Sequence, residues 1–106
     1  MRMWGVDTKI LCRKHLLGEH VEMHMFVGTI KKGNSIQGYI DNGLVNPALI
    51  VHRHNCLVGE MLERGYNHRS DIIGLDELPD IEFNKTTALN DLLSRCPECR
   101  KRYKNI

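Results

Sequence analysis

The chain has 106 residues, of which 42% are hydrophobic and 26% charged, and its formal net charge is +2. This length accommodates one domain with a modest core, and the composition is ordinary for a soluble globular protein. The sequence has neither the roughly 18 consecutive apolar residues of a membrane span nor the pattern of a secretory signal. We therefore expect a single domain over residues 1–106 in the cytoplasm (host cytoplasm if the protein is viral), with no membrane and no obligate protein partner.

The first predicted helix begins at Asp7 or Thr8, either of which is a competent N-cap, and runs towards Lys32, just before Gly33. Its apolar positions step by four and three residues and so form one face. They are Leu16, His20, Met23, Val27 and Ile30. A loop rich in glycine and asparagine is expected over residues 33–43.

The second predicted helix has the clearest boundaries, with Asn46 as the N-cap, Pro47 in the first turn and Gly65 just beyond the last turn. Its spacing predicts a strongly amphipathic helix. The expected buried stripe is Ile50, Val51, His54, Leu57, Val58, Met61 and Leu62. Residues 66–83 contain glycine, proline and several acids, and we expect them to form an extended surface loop.

A third helix is predicted after Asn84, ending where Pro97 forces a break, and a short basic helical turn follows it. No segment alternates apolar and polar residues as a half-buried strand would. The predicted fold class is therefore all-α: a single compact domain of about three main helices with long connecting loops, and without internal repeats.

Basic residues gather in two parts of the chain, the first third and the last dozen residues. They are Lys9, Arg13, Lys14, Lys31 and Lys32, and then Arg95, Arg100, Lys101, Arg102 and Lys104. Clustered lysine and arginine can follow the phosphates of a nucleic acid. A solvated basic tail that keeps the protein soluble explains the second group equally well.

The opening helix also carries His15, Glu19 and Glu22 along one face, since positions seven apart return to nearly the same side. A histidine in line with two carboxylates forms a candidate acid/base surface. The short arm Met1–Gly5 is near enough to bring the α-amine of the chain beside it. Histidine and glutamate also meet on ordinary helix surfaces, so this face does not by itself establish catalysis.

The cysteines are too few and too unevenly spaced for a secreted disulfide framework. They are Cys12, Cys56, Cys96 and Cys99. Cys96 and Cys99 have the spacing of half a zinc site, and Cys12 with His15 has the same spacing and would complete a set of three thiolates and one imidazole. Alternative second halves draw on His52, His54 and Cys56. The competing interpretation is a pair of reduced thiols near a helix end.

Two further histidines, His20 and His24, lie four residues apart on the first helix and can chelate one metal. The glutamate that directly follows the first histidine of a zincin helix is absent, however. His54 lies on the apolar stripe of the second helix, where a hydrogen-bonded core histidine is the expected role. The sequence therefore assigns no metal site to His20 and His24, and His54 is a metal ligand only in the alternative zinc sites named above.

Two segments, in this order, resemble the pyrimidine-dimer DNA glycosylases of the bacteriophage endonuclease V type. His-Leu at positions 15–16, followed by Glu19 and Glu22, resembles the start of the long first helix of that family. Residues 62–67, Leu-Glu-Arg-Gly-Tyr-Asn, resemble an element at the end of its second helix. The matches span residues 1–32 and 50–70, and their order and spacing together argue against chance agreement.

The resemblance implies a catalytic role for Glu22, a place near the active site for His15, and a nucleophilic α-amine at Met1. Arg2 is too large a neighbour for ordinary removal of the first methionine, so we expect Met1 to be retained. As a class, α-amino groups have a pKa of about 8 and lysines one of about 10.4, so an α-amine is a usable nucleophile at neutral pH. The implied reaction, which needs no cofactor, is attack on the deoxyribose C1′, loss of the base through an imine, and β-elimination that nicks the strand 3′ to the abasic site.

The implied function is a DNA glycosylase with AP-lyase activity, a phage or bacterial enzyme of base-excision DNA repair acting on damaged or modified double-stranded DNA. The candidate nucleic-acid contacts are Arg2, Lys9, Arg13, Lys14, Arg64, Arg100, Lys101 and Arg102. Val21 and Met25 replace two arginines of the family, which implies a different recognition of the substrate. The alternatives are a non-catalytic nucleic-acid-binding or regulatory protein on the same scaffold, and a small zinc-binding protein organised by Cys96 and Cys99, which stand in place of the family's aromatic tail.

Overall fold

A computed structural model describes all 106 residues, and its regular structure is entirely helical. Five α-helices follow in chain order: α1 (Arg13–Lys31), α2 (Gln37–Asp41), α3 (Ile50–Glu63), α4 (Lys85–Arg95) and α5 (Pro97–Lys104). Short 3₁₀ helices, Thr8–Ile10 and Pro47–Leu49, precede α1 and α3. The all-α prediction is confirmed. The prediction of a loop over residues 33–43 is wrong in its middle part, because α2 lies within it.

The predicted first helix divides in two. The side chain of Asp7 accepts a backbone hydrogen bond and caps the first 3₁₀ helix, whereas α1 begins only after Cys12. Leu11 between them is extended, with φ −67° and ψ 128°. The Cys12 Sγ accepts a hydrogen bond from the His15 N–H at 3.5 Å. The prediction of one continuous helix is therefore wrong at its start, because Cys12 leaves helical geometry in order to cap α1.

The predicted boundaries of the second helix are confirmed. The Asn46 Oδ1 accepts a hydrogen bond from the Ala48 N–H at 3.2 Å, and Pro47 opens the 3₁₀ turn that continues into α3. Gly65, just beyond the end, has a φ of +82°, which glycine adopts without a Cβ clash. These residues set the two ends of the helix as their types predict.

The buried face of α3 differs from the predicted stripe. Val51 and Leu62 remain 36% and 57% exposed, whereas Arg53 and Glu60 are buried. Both buried charges form ion pairs within the fold. A paired and hydrogen-bonded charge can occupy an interior position that apolar periodicity assigns to an aliphatic side chain.

The third helix begins and ends as predicted. The Asn84 Oδ1 accepts a hydrogen bond from the Thr87 N–H at 3.0 Å and caps α4. Pro97 ends the helical run, and Cys96 before it is at once the C-cap of α4 and the N-cap of α5. The loop predicted over residues 66–83 contains no helix or strand. The C-terminal part of the chain therefore consists of two short helices that are joined directly at Cys96.

One cluster of 18 buried hydrophobic residues holds the helices together. The long helices α1 and α3 pack against each other. The N-terminal arm adds Met3 and Trp4 to the same core, and Val6 directly after the arm joins them. The helices α4 and α5 contribute Leu92 and Cys99. The arm and the C-terminal helices therefore share a core with α1, the helix that carries the candidate site. None of the helices combines the length and the apolar character that crossing a membrane requires.

Candidate active site

The α-amine of the chain lies beside a carboxylate of α1. Met1 N is 3.8 Å from Glu22 Oε1, and the two side chains are 12% and 29% exposed. Neither side chain is fully buried. We call Met1 N and the Glu22 carboxylate the reactive pair. The structure thus brings together two of the three residues predicted to be catalytic.

The surroundings of Glu22 disfavour its charged form relative to water. Burial raises the pKa of the Glu22 carboxyl, while the N-terminal ammonium and the Arg2 backbone N–H act in the opposite direction. A carboxyl whose pKa is moved towards neutrality exchanges protons more readily at physiological pH, as acid/base catalysis requires. Glu22 lines an open groove of about 520 Å³ together with Trp4, Lys14 and His15.

The neighbouring Glu19 holds the arm in place. Its buried carboxylate accepts hydrogen bonds from Arg53 Nε and Nη2 at 2.6 and 2.9 Å, and from the Trp4 N–H at 3.0 Å. Arg53 Nη1 in turn donates to the Val6 carbonyl at 2.6 Å. The predicted acid/base surface of three side chains is therefore corrected at Glu19, because the fold uses its carboxylate to tether the arm.

Further contacts fix the arm on the other side. The Met3 N–H donates to the Leu44 carbonyl at 2.7 Å. The Arg2 guanidinium lies 3.9 Å from the centre of the Trp4 ring, and its Nη1 donates to Asp91 Oδ2 at 3.3 Å. Arg2, a predicted nucleic-acid contact, is thereby held against the arm and α4, with its Nη2 free of protein hydrogen bonds.

His15 lines the groove, but its Nδ1 faces thiols. This nitrogen is 3.2 Å from Cys12 Sγ and 3.5 Å from Cys99 Sγ. The His15 ring packs edge-on against Trp4, with ring centroids 5.7 Å apart. No hydrogen bond joins His15 to the reactive pair. His15 therefore shares the groove with Glu22 but makes no direct contact with the reactive pair, and its catalytic role stays a prediction.

Four side chains converge where α5 meets the start of α1: Cys12, His15, Cys96 and Cys99. Their ligand atoms all lie within 4.8 Å of one another, so this set, which we call the Cys₃His cluster, can hold a metal ion. The sulfurs of Cys12 and Cys96 are 3.8 Å apart. The sequence left open which residues complete the site with Cys96 and Cys99. The structure places Cys12 and His15, at the start of α1, beside them, and not the candidate residues of α3.

Backbone amides around the Cys₃His cluster point at sulfur. The Cys12 N–H donates to Cys99 Sγ at 3.2 Å, and the Cys99 N–H donates to Cys96 Sγ at 3.4 Å. Amide donors favour the thiolate, which is the form that binds metal. Burial raises the pKa of Cys99 to about 12. A bound cation would stabilise the charged form of this buried thiol.

A second convergent group lies where α1, α3 and the following loop meet. It consists of His20, His24, His54 and His68, whose ligand atoms also lie within 4.8 Å of one another. We call it the four-histidine cluster. Burial and the three neighbouring imidazoles lower the pKa of His20 to about 4. The Nε2 atoms of His20 and His68 are buried without a hydrogen-bond partner, a situation that costs about 1–3 kcal/mol per group.

The sequence identified only part of this cluster. The spacing of His20 and His24 allows them to chelate one metal, although the sequence assigns them no such role. The prediction that His54 is a core residue is confirmed by its full burial. His68 follows α3 in a loop, where no periodicity indicates which way a side chain points. The only available signal was the number of histidines on elements that must pack together.

Arg64, a predicted nucleic-acid contact, is engaged within the fold. Its Nε donates to Glu60 Oε2 at 2.8 Å, and its Nη2 donates to the carbonyls of Thr8 and Leu11 at 3.1 and 2.8 Å. These bonds join α3 to the segment that precedes α1. The observed role of Arg64 is therefore structural, and its phosphate contact stays a prediction.

The other predicted nucleic-acid contacts are exposed: Lys9, Arg13, Lys14, Arg100, Lys101 and Arg102. Arg102 Nε donates to the Lys9 carbonyl at 2.9 Å, which brings the basic residues of α5 beside those near the N-terminus. The two basic groups, remote in sequence, thus become neighbours on the surface. The phosphate contacts of these residues stay a prediction.

Apolar side chains stand at the two positions where the resemblance leads one to expect arginine. Val21 and Met25 are 53% and 50% exposed on α1, and Val21 also lines the groove beside Glu22. A ligand that enters this groove therefore meets an apolar wall next to the reactive pair.

The chain is similar in sequence to one known protein family. A family model described as pyrimidine dimer DNA glycosylase matches residues 1–74, which is more than half of the chain. The protein belongs to this family, whose activity makes DNA the implied substrate class. No curated protein and no solved structure is significantly similar to the chain. Cys96 and Cys99 lie beyond the matched residues.

Proposed function

We propose that the protein is a DNA glycosylase with AP-lyase activity that acts on damaged or modified double-stranded DNA, with the Met1 amine as its nucleophile. The observation that carries the proposal is the distance of 3.8 Å between Met1 N and Glu22 Oε1, in a member of the pyrimidine dimer DNA glycosylase family. The groove beside Glu22 offers room for an extruded nucleotide, and Lys14 on its wall offers a phosphate contact.

The reaction begins when the neutral Met1 amine attacks C1′ of the damaged nucleotide. A C–N bond forms while the bond from C1′ to the base breaks, and the base leaves with the electron pair and a proton. Opening of the sugar ring then gives an imine between Met1 N and C1′. Removal of a proton from C2′ expels the 3′ phosphate by β-elimination, and water hydrolyses the imine to free the enzyme.

Glu22 has two tasks in this scheme. Its carboxylate accepts the proton that the attacking amine must lose, and it stabilises the positive charge of the imine. The burial that raises its pKa also suits Glu22 to return a proton later in the cycle. The buried bonds from Glu19 and Arg53 to the arm keep the amine oriented before the substrate arrives, which lowers the entropic cost of the attack.

Access to C1′ requires a nucleotide to leave the stack, at a cost of roughly a few kcal/mol that is smallest at damaged sites. The exposed side chains of Val21 and Met25 offer apolar contact to a distorted strand where arginines would offer charge. We therefore propose that the protein selects lesions that have already weakened stacking, and that the basic residues of α5 supply the affinity for phosphate.

Borohydride trapping on a duplex with one abasic site tests the proposal. Borohydride reduces an imine to a stable amine, so the wild-type protein should become covalently joined to the labelled strand. Protein whose α-amine has been acetylated should give no adduct, and an intact-mass measurement should show that the reactive form begins with unmodified Met1. If the wild-type protein binds the duplex but gives no adduct at high concentration, the non-catalytic nucleic-acid-binding alternative replaces the proposal.

We also propose that the Cys₃His cluster binds zinc as a structural cofactor. Zn–S bonds of about 2.3 Å in a tetrahedron place neighbouring sulfurs about 3.8 Å apart, and the sulfurs of Cys12 and Cys96 are 3.8 Å apart. Thiolate and imidazole are the usual ligands of structural zinc. Because the protein fills all four positions, the metal would join α5 to the start of α1 and would leave no position for a reacting water.

Metal analysis of protein purified without an affinity tag tests this assignment. The Cys96→Ser/Cys99→Ser variant should lose one equivalent of zinc, whereas Cys56→Ser should keep it, because Cys56 is exposed and outside the cluster. A wild-type protein with less than about a tenth of an equivalent of zinc after purification in zinc-containing buffer would refute the assignment.

A further inference from the structure

The four-histidine cluster is a large group of titratable side chains that the proposed reaction does not use. His20 and His24 project from α1, His54 from α3 and His68 from the loop after α3. The centroids of the rings in contact lie between 4.7 and 5.3 Å apart. Three separate segments of the chain therefore bring four imidazoles to one point.

The rings turn the same atom towards the centre. Nε2 of His54 lies 3.1 Å from Nε2 of His24, and the Nε2 atoms of His20 and His68 are buried without a partner. A neutral imidazole has a single N–H, so these nitrogens cannot all satisfy one another by hydrogen bonding. A cation at the centre would accept a lone pair from each ring and would remove the deficit.

Contacts on the outer edges of the rings favour the same arrangement. Nδ1 of His54 lies 3.0 Å from Asn55 Oδ1, and Nδ1 of His68 lies 3.9 Å from Asp71 Oδ1. The acceptor beside Nδ1 of His54 keeps the hydrogen on that nitrogen and leaves a lone pair on Nε2, as in metal-bound histidines. At 3.9 Å, Asp71 lies beyond hydrogen-bond distance of His68, and its charge acts on the ring only through space. The Ser70 carbonyl, 3.3 Å from His54 Nε2, is a competing acceptor for a protonated Nε2.

We propose that His20, His24, His54 and His68 form a binding site for a divalent first-row transition metal, and that this metal is zinc. Imidazole nitrogen suits this class of ion, whereas Ca²⁺ and Mg²⁺ prefer oxygen. The set contains no carboxylate, and its four nitrogens complete a tetrahedron without a water. The metal would therefore cross-link α1, α3 and the loop after α3.

The site is separate from the reactive pair and does not rest on the proposed glycosylase. His20 and His24 each lie two residues from Glu22, and residues two apart on a helix point to different sides. Loss of this metal should therefore lower the thermal midpoint while the protein, once folded, still forms the trapped adduct.

Zinc content of wild-type and variant protein tests the proposal. All proteins are purified without a histidine tag and dialysed against the same zinc-containing buffer before metal analysis. His20→Asn and His68→Asn should each contain one equivalent of zinc less than the wild type. His52→Asn is the matched control, because His52 is exposed on α3 and lies outside the cluster. Equal zinc contents in the wild type, His20→Asn and His68→Asn would overturn the proposal, whatever the Cys₃His cluster holds.

Cobalt titration of the metal-free wild-type protein gives a second test that needs no substitution at the cluster. Cobalt bound to thiolates shows charge-transfer bands, whereas cobalt bound to four imidazoles shows only the weaker bands of a tetrahedral ion. The proposal predicts an equivalent of bound cobalt without charge transfer. If every bound equivalent shows the thiolate bands, the histidines form a metal-free hydrogen-bonded network and the proposal fails.

Discussion

Two glutamates of α1, less than one turn apart, have opposite surroundings. Glu19 is 1% exposed and gives its carboxylate to Arg53 and to the backbone of the arm. The Glu22 side chain is 29% exposed, and its ion-pair partner is the N-terminal amine. The same residue type therefore holds the arm in place at position 19 and stands partly exposed beside the N-terminal amine at position 22. Burial and prior hydrogen bonding decide between these roles, and residue type does not.

The comparison predicts that Glu22 matters for chemistry and not for folding. Replacing it in Glu22→Gln should slow formation of the borohydride-trapped adduct by about 100-fold to 10,000-fold, because the amine loses its proton acceptor. Its free energy of unfolding in urea should change by less than about 0.5 kcal/mol. Glu63→Gln, at an exposed position of α3, is the control and should leave the rate unchanged. Wild-type rates in Glu22→Gln would remove the carboxylate from the mechanism.

The corresponding change at the other glutamate should affect folding first. Glu19→Gln leaves the buried Arg53 without a counter-charge and should cost about 3–5 kcal/mol of unfolding free energy, measured by urea denaturation. The double variant Glu19→Met/Arg53→Met should recover much of this loss but should still trap slowly, because the arm is no longer tethered. A cost below about 1 kcal/mol for Glu19→Gln would mean that the ion pair does not stabilise the native protein.

A comparison of Gly5 with Gly43 tests how tightly the arm is packed. The two glycines have the same backbone conformation, but only Gly5 has a close neighbour. Their φ angles are +67° and +69°, yet a Cβ at Gly5 would lie 2.7 Å from Phe83 Cε1, whereas a Cβ at Gly43 meets nothing within 4 Å. Gly43→Ala should cost about 1–2 kcal/mol from the positive φ alone. Gly5→Ala should cost more and should also slow trapping. If both variants lost the same free energy of unfolding and trapped at the wild-type rate, the arm at Gly5 would tolerate a side chain as well as the loop at Gly43 does.

The smallest effect is expected from replacing a glycine of α1 that lies far from both Glu19 and Glu22. A Cβ at Gly28 meets nothing within 4 Å, so Gly28→Ala should raise the free energy of unfolding by about 0.5–1 kcal/mol through helix propensity. Trapping should proceed at the wild-type rate. A loss of stability would mean that another part of the protein approaches α1 closely at this position.

Much of the fold was readable from the sequence because its signals are local. Asn46, Asn84 and Pro97 set helix boundaries through their own side chains, and the structure places the boundaries there. The division before α1 was not readable, since Cys12 gains its capping geometry together with contacts to Cys96, which is 84 residues away. Sequence rules for helix capping use only the residues of the adjacent turn, so they could not identify Cys12 as the N-cap of α1.

The candidate site also has one part that the sequence predicted and one part that it did not. The nearness of Met1 and Glu22 was implied by a family resemblance that spans the start of the chain, and the structure brings them together. The bond between Glu19 and Arg53 joins positions 34 apart, and periodicity placed an aliphatic stripe near Arg53. A charge that is buried because it is paired cannot be distinguished from an exposed charge until its partner is known.

The most direct test of the account is to locate the nitrogen that forms the trapped adduct. Cleavage of the reduced adduct before Asp7, after nuclease treatment, releases the peptide Met1–Val6, which contains no lysine. The account predicts that mass spectrometry will find the sugar remnant on this peptide, at the α-nitrogen of Met1. A remnant on a lysine-bearing peptide, with Met1–Val6 unmodified, would contradict it.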